Sequence, residues 1–314
     1  VVFEAFYNIS VLQKKPKLAI LLGFVYACVG IGLAHLLFPN SSGLASVAFT
    51  SLLILPSFTN IVFLEEETER EGRRIGLFAL IRDNRSAIRI LLNIFIGSFF
   101  AYLFVSLMFP SYTAPMLFEP QLRSGGISGN AIISAALFNE IFVNNLIVLA
   151  VCFLLSFFIG SGGIFFIIWN SSAWGVFFGN TAAVAAGPSH SNQILYVVII
   201  LAVVIVFVVL EALAYIMATL AGSVLSRSVL DELKSRGLTV FHKYASIMGV
   251  VSPKLSHRLL EERWYAEGFT KVLVVNISLL ALSALIIFAA ALIESVLLGN
   301  VSIYREIVLK SMGV

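Results

Sequence analysis

Glu211 stands seventeen residues into an apolar run that covers 194–225. A bare carboxylate in hydrocarbon is unfavourable by about 3 kcal/mol or more, so such a group is paired, protonated or hydrated. Two roles follow from that placement. Glu211 can serve as a proton or cation site, or as part of a groove for a partner. Alternatively it is a structural carboxyl, hydrogen-bonded to Asn144, Asn145 or Asn170, that holds helices together. Asn139, Glu140, Asn144, Asn145, Asn170 and Asn180 form the wider polar group. Amide hydrogen bonds between membrane helices contribute about 0.6 to 2 kcal/mol each. The same amides could line a polar path with Glu211.

A second pattern with chemical content is Glu65-Glu66-x-x-x-Arg70. It resembles the EExxxR signature of intramembrane CAAX-type glutamic proteases, in which paired carboxylates activate water as a general base. That chemistry also needs two histidines on other spans, with Phe four residues before one and Asn or Asp four residues after the other. None of His35, His190, His242 and His257 has either setting. No Ser/His/Asp set and no metal-spaced His/Cys cluster is present, so a non-enzymatic protein without metal or cofactor is expected. Gly160, Gly162 and Gly163 read as a tight turn whose N–H groups could hold an anion. No Gly-Lys-Ser/Thr follows them, so this is not a P-loop. Gly175 and Gly179, and Ala218 and Gly222, are four residues apart and permit close helix approach. Packing within one bundle is the first expectation there and oligomerisation the second. Cys28 and Cys152 lie in apolar runs and read as small apolar side chains.

The elements that must position these groups follow from composition. Of 314 residues, 60% are hydrophobic and 12% charged. A soluble domain has about 25% charged residues, so soluble enzymes, disordered chains and nucleic-acid-binding domains are excluded. Apolar runs of about 20 residues specify membrane helices rather than the alternating strands of a β-barrel. Seven runs qualify: 18–38, 44–64, 87–109, 141–159, 164–181, 194–225 and 272–298. The fifth carries Asn170, Ser171 and Ser172 at its centre and is the candidate for a broken or re-entrant helix. The sixth exceeds a bilayer and must tilt, kink or project. With the N-terminus in the cytoplasm, the inner segments and Arg89 hold 17 of the 20 Lys and Arg. Only Arg123, Arg305 and Lys310 fall outside, which is the asymmetry of a positive interior. That asymmetry requires the fourth and fifth runs to cross together or not at all. Gln13, Lys14, Lys15 and Lys17 precede the first long run, which is long enough to span and reads as an anchor that stays, and no cleavable signal peptide is read.

The organisation is therefore an inner segment 1–17, a membrane bundle 18–225, an inner amphipathic insertion 226–271, a last span 272–298 and an outer tail 299–314. Within the bundle, the inner loop 65–86 opens with Glu65, Glu66, Glu67 and Glu69 and continues with Arg70, Arg73 and Arg74. Glu66 with Arg70, and Glu69 with Arg73, have the i,i+4 spacing of a solvated helix. The insertion places Leu230, Leu233, Val240, Phe241, Tyr244 and Ile247 among charges, then restarts after Ser252-Pro253. Helices of that kind lie on the membrane surface or dock on a partner. Asn40 and Asn300 begin N-x-S sequons in outer segments.

One stretch carries a resemblance. Phe138 to Asn180 reads as an Asn-Asn pair opening a span, a Gly-rich turn, and a second span with a central Asn and a trailing GxxxG. Leu210 to Ser226 then supplies a Glu followed by small residues, and Leu64 to Glu67 supplies an LEEE start after the second span. This order resembles the archaeal members of the stage II sporulation protein M family, over most of 18–298. The resemblance implies an integral membrane scaffold or complex subunit that recruits protein partners. Two features depart from it: Phe207 and Val208 stand where the family carries a His-Gly pair, and the insertion 226–271 is long. The expected protein is thus an all-α, multi-pass protein of the cell membrane with six or seven spans, seven being favoured, and a cytoplasmic N-terminus. Its expected partners are the lipid bilayer and proteins that dock on 65–86 and 226–271, with no nucleic acid. Homo-oligomers are admitted but not specified. A channel or transporter built around Glu211 is the alternative.

Overall fold

A computed structural model describes residues 9–39, 41–71, 84–109, 135–187, 192–247 and 256–300. Eight helices are present among them: α1 Ile9–Lys14, α2 Leu18–Leu37, α3 Ser42–Glu71, α4 Arg85–Met108, α5 Ala135–Ile159, α6 Gly163–Ala186, α7 Gln193–Ile247 and α8 Ser256–Asn300. The protein is an all-α polytopic membrane protein. Six of its helices, α2, α3, α4, α5, α7 and α8, are long and apolar enough to cross a bilayer. Side chains such as Leu21, Leu36, Leu52, Phe104, Phe158 and Leu285 point outward from them and form the lipid-facing surface.

The helices fall into two groups of three. In one, α4 packs on α2 and α2 on α3; in the other, α7 packs on both α5 and α8. Helix α6 lies between the groups and packs on α4, α7, α3 and α5. It is unbroken over 24 residues, so the broken-helix expectation for this segment does not hold. At 1.5 Å per residue it reaches about 36 Å. Its lower hydropathy has a structural reason. Sixteen of its residues are buried, including Ser171, Ser172 and Thr181, and polar side chains with protein partners need no lipid-compatible surface. Ser171 Oγ donates to the carbonyl of Phe95 on α4 at 3.1 Å, and Ser106 Oγ of α4 donates back to that of Val176 at 3.0 Å.

Close backbone contact is the rule in the first group. A Cβ on Gly97 of α4 would strike the carbonyl of Ile20, and one on Gly23 of α2 would strike that of Ile94. Between α6 and α4 the same holds for Gly175 and Gly179. Their Cβ atoms would lie 2.6 Å from the Phe99 carbonyl and 2.8 Å from the Leu103 carbonyl. Gly222 on α7 does the same against Phe153 of α5, and Ala218 sits one turn away in the core with Leu149 and Cys152. These small residues are thus spent on packing inside the chain.

Two boundaries drawn from hydropathy are absent from the backbone. Helix α7 is continuous for 55 residues through position 226, and α8 for 45 residues through position 271. The amphipathic stretch after 226 is therefore an extension of a membrane helix. It does not turn onto the bilayer surface, because an unbroken helix bends only gently. The restart after Pro253 does appear, as the start of α8 at Ser256.

Candidate functional site

Polar side chains gather in two layers of the bundle. The deeper one is built on α5, α7 and α8. Glu211 on α7 is 2% exposed, and Asn145 Nδ2 on α5 donates to its Oε1 at 2.7 Å. Glu294 on α8 is buried as well, and its carboxyl lies close enough to interact with that of Glu211. Tyr215, one turn along α7, is buried within electrostatic reach of both carboxyls and the Cys152 thiol. Tyr215 belongs to one apolar cluster with Leu149, Cys152, Ala214, Ala218 and Ile287.

Of the amides expected at Glu211, only Asn145 is there. Asn144 is turned 100° away by the helix and is exposed. Asn170 is half-buried and donates to the carbonyl of Phe166 in its own helix at 2.8 Å. Asn139 and Glu140 are exposed, and Asn180 Oδ1 is buried without a protein donor. Replacing Asn145 by Ala removes the single amide donor at Glu211. We expect the unfolding midpoint in detergent to fall with a loss of about 1 to 2 kcal/mol, with Asn144→Ala as the neutral control.

The second layer lies sixteen residues further along α7, about 24 Å away. Here the acidic end of α3 enters the bundle. Glu65, Glu66 and Glu69 are buried, which corrects their reading as a solvated helix face. Their described partners come from distant elements. Arg227 Nε of α7 lies 2.6 Å from Glu66 Oε2, an ion pair whose N–H is not aligned as a hydrogen bond. The same guanidinium stacks 4.3 Å over the Phe63 ring. Asn276 Nδ2 of α8 donates to Glu69 Oε2 at 2.5 Å and to the carbonyl of Val272 at 2.9 Å. Asn84, at the start of α4, also hydrogen-bonds Glu69, and Glu232 of α7 is buried nearby in sequence to Arg227. Arg70 and Arg73 lie outside the described side chains. His35 is exposed at the other end of α2, about 35 Å along the neighbouring helix from Glu65. Among the described residues no three His, Cys, Asp or Glu side chains form a group able to hold a metal ion.

The glycine turn between α5 and α6 divides its labour. Gly160 adopts φ +71°, which favours glycine, whereas Gly162 is ordinary right-handed helix at φ −62°. Gly163 is needed for space: the Ser156 hydroxyl occupies the place where its Cβ would stand, with Thr219 beside it. The N–H groups of Ser161, Ile164 and Phe165 donate to carbonyls within the turn, so they are not directed at an anion.

Sequence reasoning missed Glu294, Asn276 and Arg227. The signal for the first two was the same as for Glu211, a polar residue in an apolar run. No family model, no curated protein and no solved structure matches the chain.

Proposed function

We propose that the protein is a non-enzymatic scaffold or complex subunit of the cell membrane, with seven crossings and a cytoplasmic N-terminus. One observation carries this reading. Helices α7 and α8 span 55 and 45 residues, roughly 80 and 70 Å of helix, against about 30 Å of hydrocarbon. The excess leaves the bilayer as a pair of arms on the side that holds most of the Lys and Arg. On α7 that excess begins with Leu230 and Leu233, 52% and 61% exposed among charged neighbours. Exposed leucines beyond the lipid are suited to a protein partner. The resemblance to the stage II sporulation protein M family supports the same reading. Purified in mild detergent, the chain is expected to carry a stoichiometric protein partner. Leu230→Glu with Leu233→Glu should release it while Leu285→Gln, on the lipid face, should not. A chain that purifies alone, or a partner indifferent to both changes, refutes the reading.

A second reading, a channel or transporter, is favoured by one specific observation: Glu211 faces a second buried carboxyl. Packing alone would be served by one carboxyl and one amide. The CAAX-type protease draws no comparable support, since Glu66 is engaged by Arg227.

A further inference from the structure

The stretch of α7 between the two layers is unusual for a buried helix. Counting in fours from Glu211 gives Tyr215, Thr219, Ser223 and Arg227, and the first four of these five are buried. Side chains four apart on a helix are neighbours, with Cβ atoms about 6 Å apart. One water spans such a gap with two hydrogen bonds. Helix α5 adds Cys152 and Ser156 along the same seam. The Thr219 hydroxyl lies beside the Cys152 thiol and is itself buried with no hydrogen-bond partner. Ser156 converges with Thr219 on the bare Cα of Gly163, where no side chain intrudes. Nothing in the apolar packing explains these hydroxyls. The Ser156 and Ser223 oxygens are fully buried and have no protein partner, and Glu294 Oε2 is a buried acceptor without a donor. Buried hydroxyls left without protein partners are the groups that ordered water satisfies.

We infer that the α5–α7 seam through Tyr215, Cys152, Thr219, Ser156 and Ser223 is a proton path joining the Glu211–Glu294 pair to the Arg227 end of the bundle. This rests on the second reading above and names its cargo as the proton. Each hydroxyl or water accepts a proton from one neighbour and passes its own to the next. Transfer of one proton from the carboxyl pair to bulk water leaves one added negative charge on the pair. Return of a proton, or of a deuteron, along the same chain restores it. No oxidant, metal or other reactant is required.

The test uses the full chain reconstituted in lipid vesicles and transferred to D2O. Infrared difference spectra read the C=O band of the protonated carboxyl, assigned by its loss in Glu211→Gln with Glu294→Gln. In the unmodified chain the isotope shift of that band is expected within the mixing time. Thr219→Val with Ser223→Ala preserves side-chain volume closely and should slow the shift by about tenfold, the effect of a hydrogen bond left unmade. Thr219→Ser with Ser223→Thr keeps both hydroxyls and should restore the fast exchange, which separates loss of the path from loss of the fold. Absence of a band that the Gln variant removes overturns the proposal. So does an isotope shift equally fast in the Val/Ala variant, or one equally slow in the Ser/Thr variant. A pH dye trapped in the same vesicles tests the transport reading separately. Slowed exchange without transmembrane flux keeps the path and removes the transporter. Flux with unaltered exchange removes the path and keeps the transporter.

Discussion

Arg227→Ala is expected to destabilise the protein by about 3 kcal/mol, read as a lower unfolding midpoint in detergent. The pair it breaks is asymmetric. Glu66 has a side chain 4% exposed, whereas that of Arg227 is 35% exposed. Truncation therefore removes the accessible partner and leaves the inaccessible charge. Desolvating two charges is expensive, and most of the measured loss comes from the carboxylate left without its cation rather than from the pair's net worth. The double change Glu66→Leu with Arg227→Leu should accordingly recover most of the stability. Arg227→Lys should recover only part, because an ammonium cannot stack flat over Phe63 while it reaches Glu66. If Arg227→Ala and the double leucine variant are equally unstable, the ion pair is not what couples α3 to α7.

Gly175→Val with Gly179→Val is expected to abolish a monodisperse folded species, as seen by size exclusion and by loss of cooperative unfolding. Each added side chain meets the backbone of α4, which cannot rotate aside as a long side chain would. Overpacking at one such site costs about 1 to 3 kcal/mol. Two sites on the same face push α6 and α4 apart as a unit. The hydrogen bonds that cross this contact, from Ser171 and Ser106, would lengthen with it. Gly160→Ala is the instructive contrast. A Cβ there meets nothing within 4 Å, and its cost is confined to the backbone at φ +71°. If the double valine variant folds normally, the α4–α6 contact is looser than its geometry states.

What could be read from the chain depended on the range of the force involved. Hydrocarbon acts on every residue it touches, so the apolar runs announce their helices locally. It also makes Glu211 conspicuous. Glu294 gives the same signal, but it lies four residues before the end of its run, where a charge reads as a boundary. Its partnership with Glu211 depends on how α7 and α8 are aligned, which no local pattern records. Asn144 and Asn145 are indistinguishable by type; one step of helical rotation sends one to Glu211 and the other to the surface. The acids at 65–69 carry bases at the right spacing for local pairs, and those bases lie outside the described side chains. The bond that Asn276, 207 residues away, donates to Glu69 is a tertiary contact that no local pattern records. Hydropathy also misplaces the ends of α7 and α8. It records where lipid stops, whereas the helical backbone hydrogen bonds continue regardless.

Helix α6 has a bearing on how the protein is made. A segment enters the bilayer during synthesis according to its own partitioning, and amides and hydroxyls at its centre weigh against it. With Asn170, Ser171, Ser172 and Asn180 along its length, α6 is poorly suited to leave the translocon alone. Ser171 finds its acceptor on α4, synthesised earlier, and α7, synthesised later, packs against the same helix. The short glycine turn ties it to α5, a strongly apolar helix that can draw it in as a hairpin. The order of the chain thus sets an order of assembly. The first three long helices supply a docking wall, α5 and α6 arrive together against it, and only the emergence of α7 closes the bundle around its least lipid-soluble member.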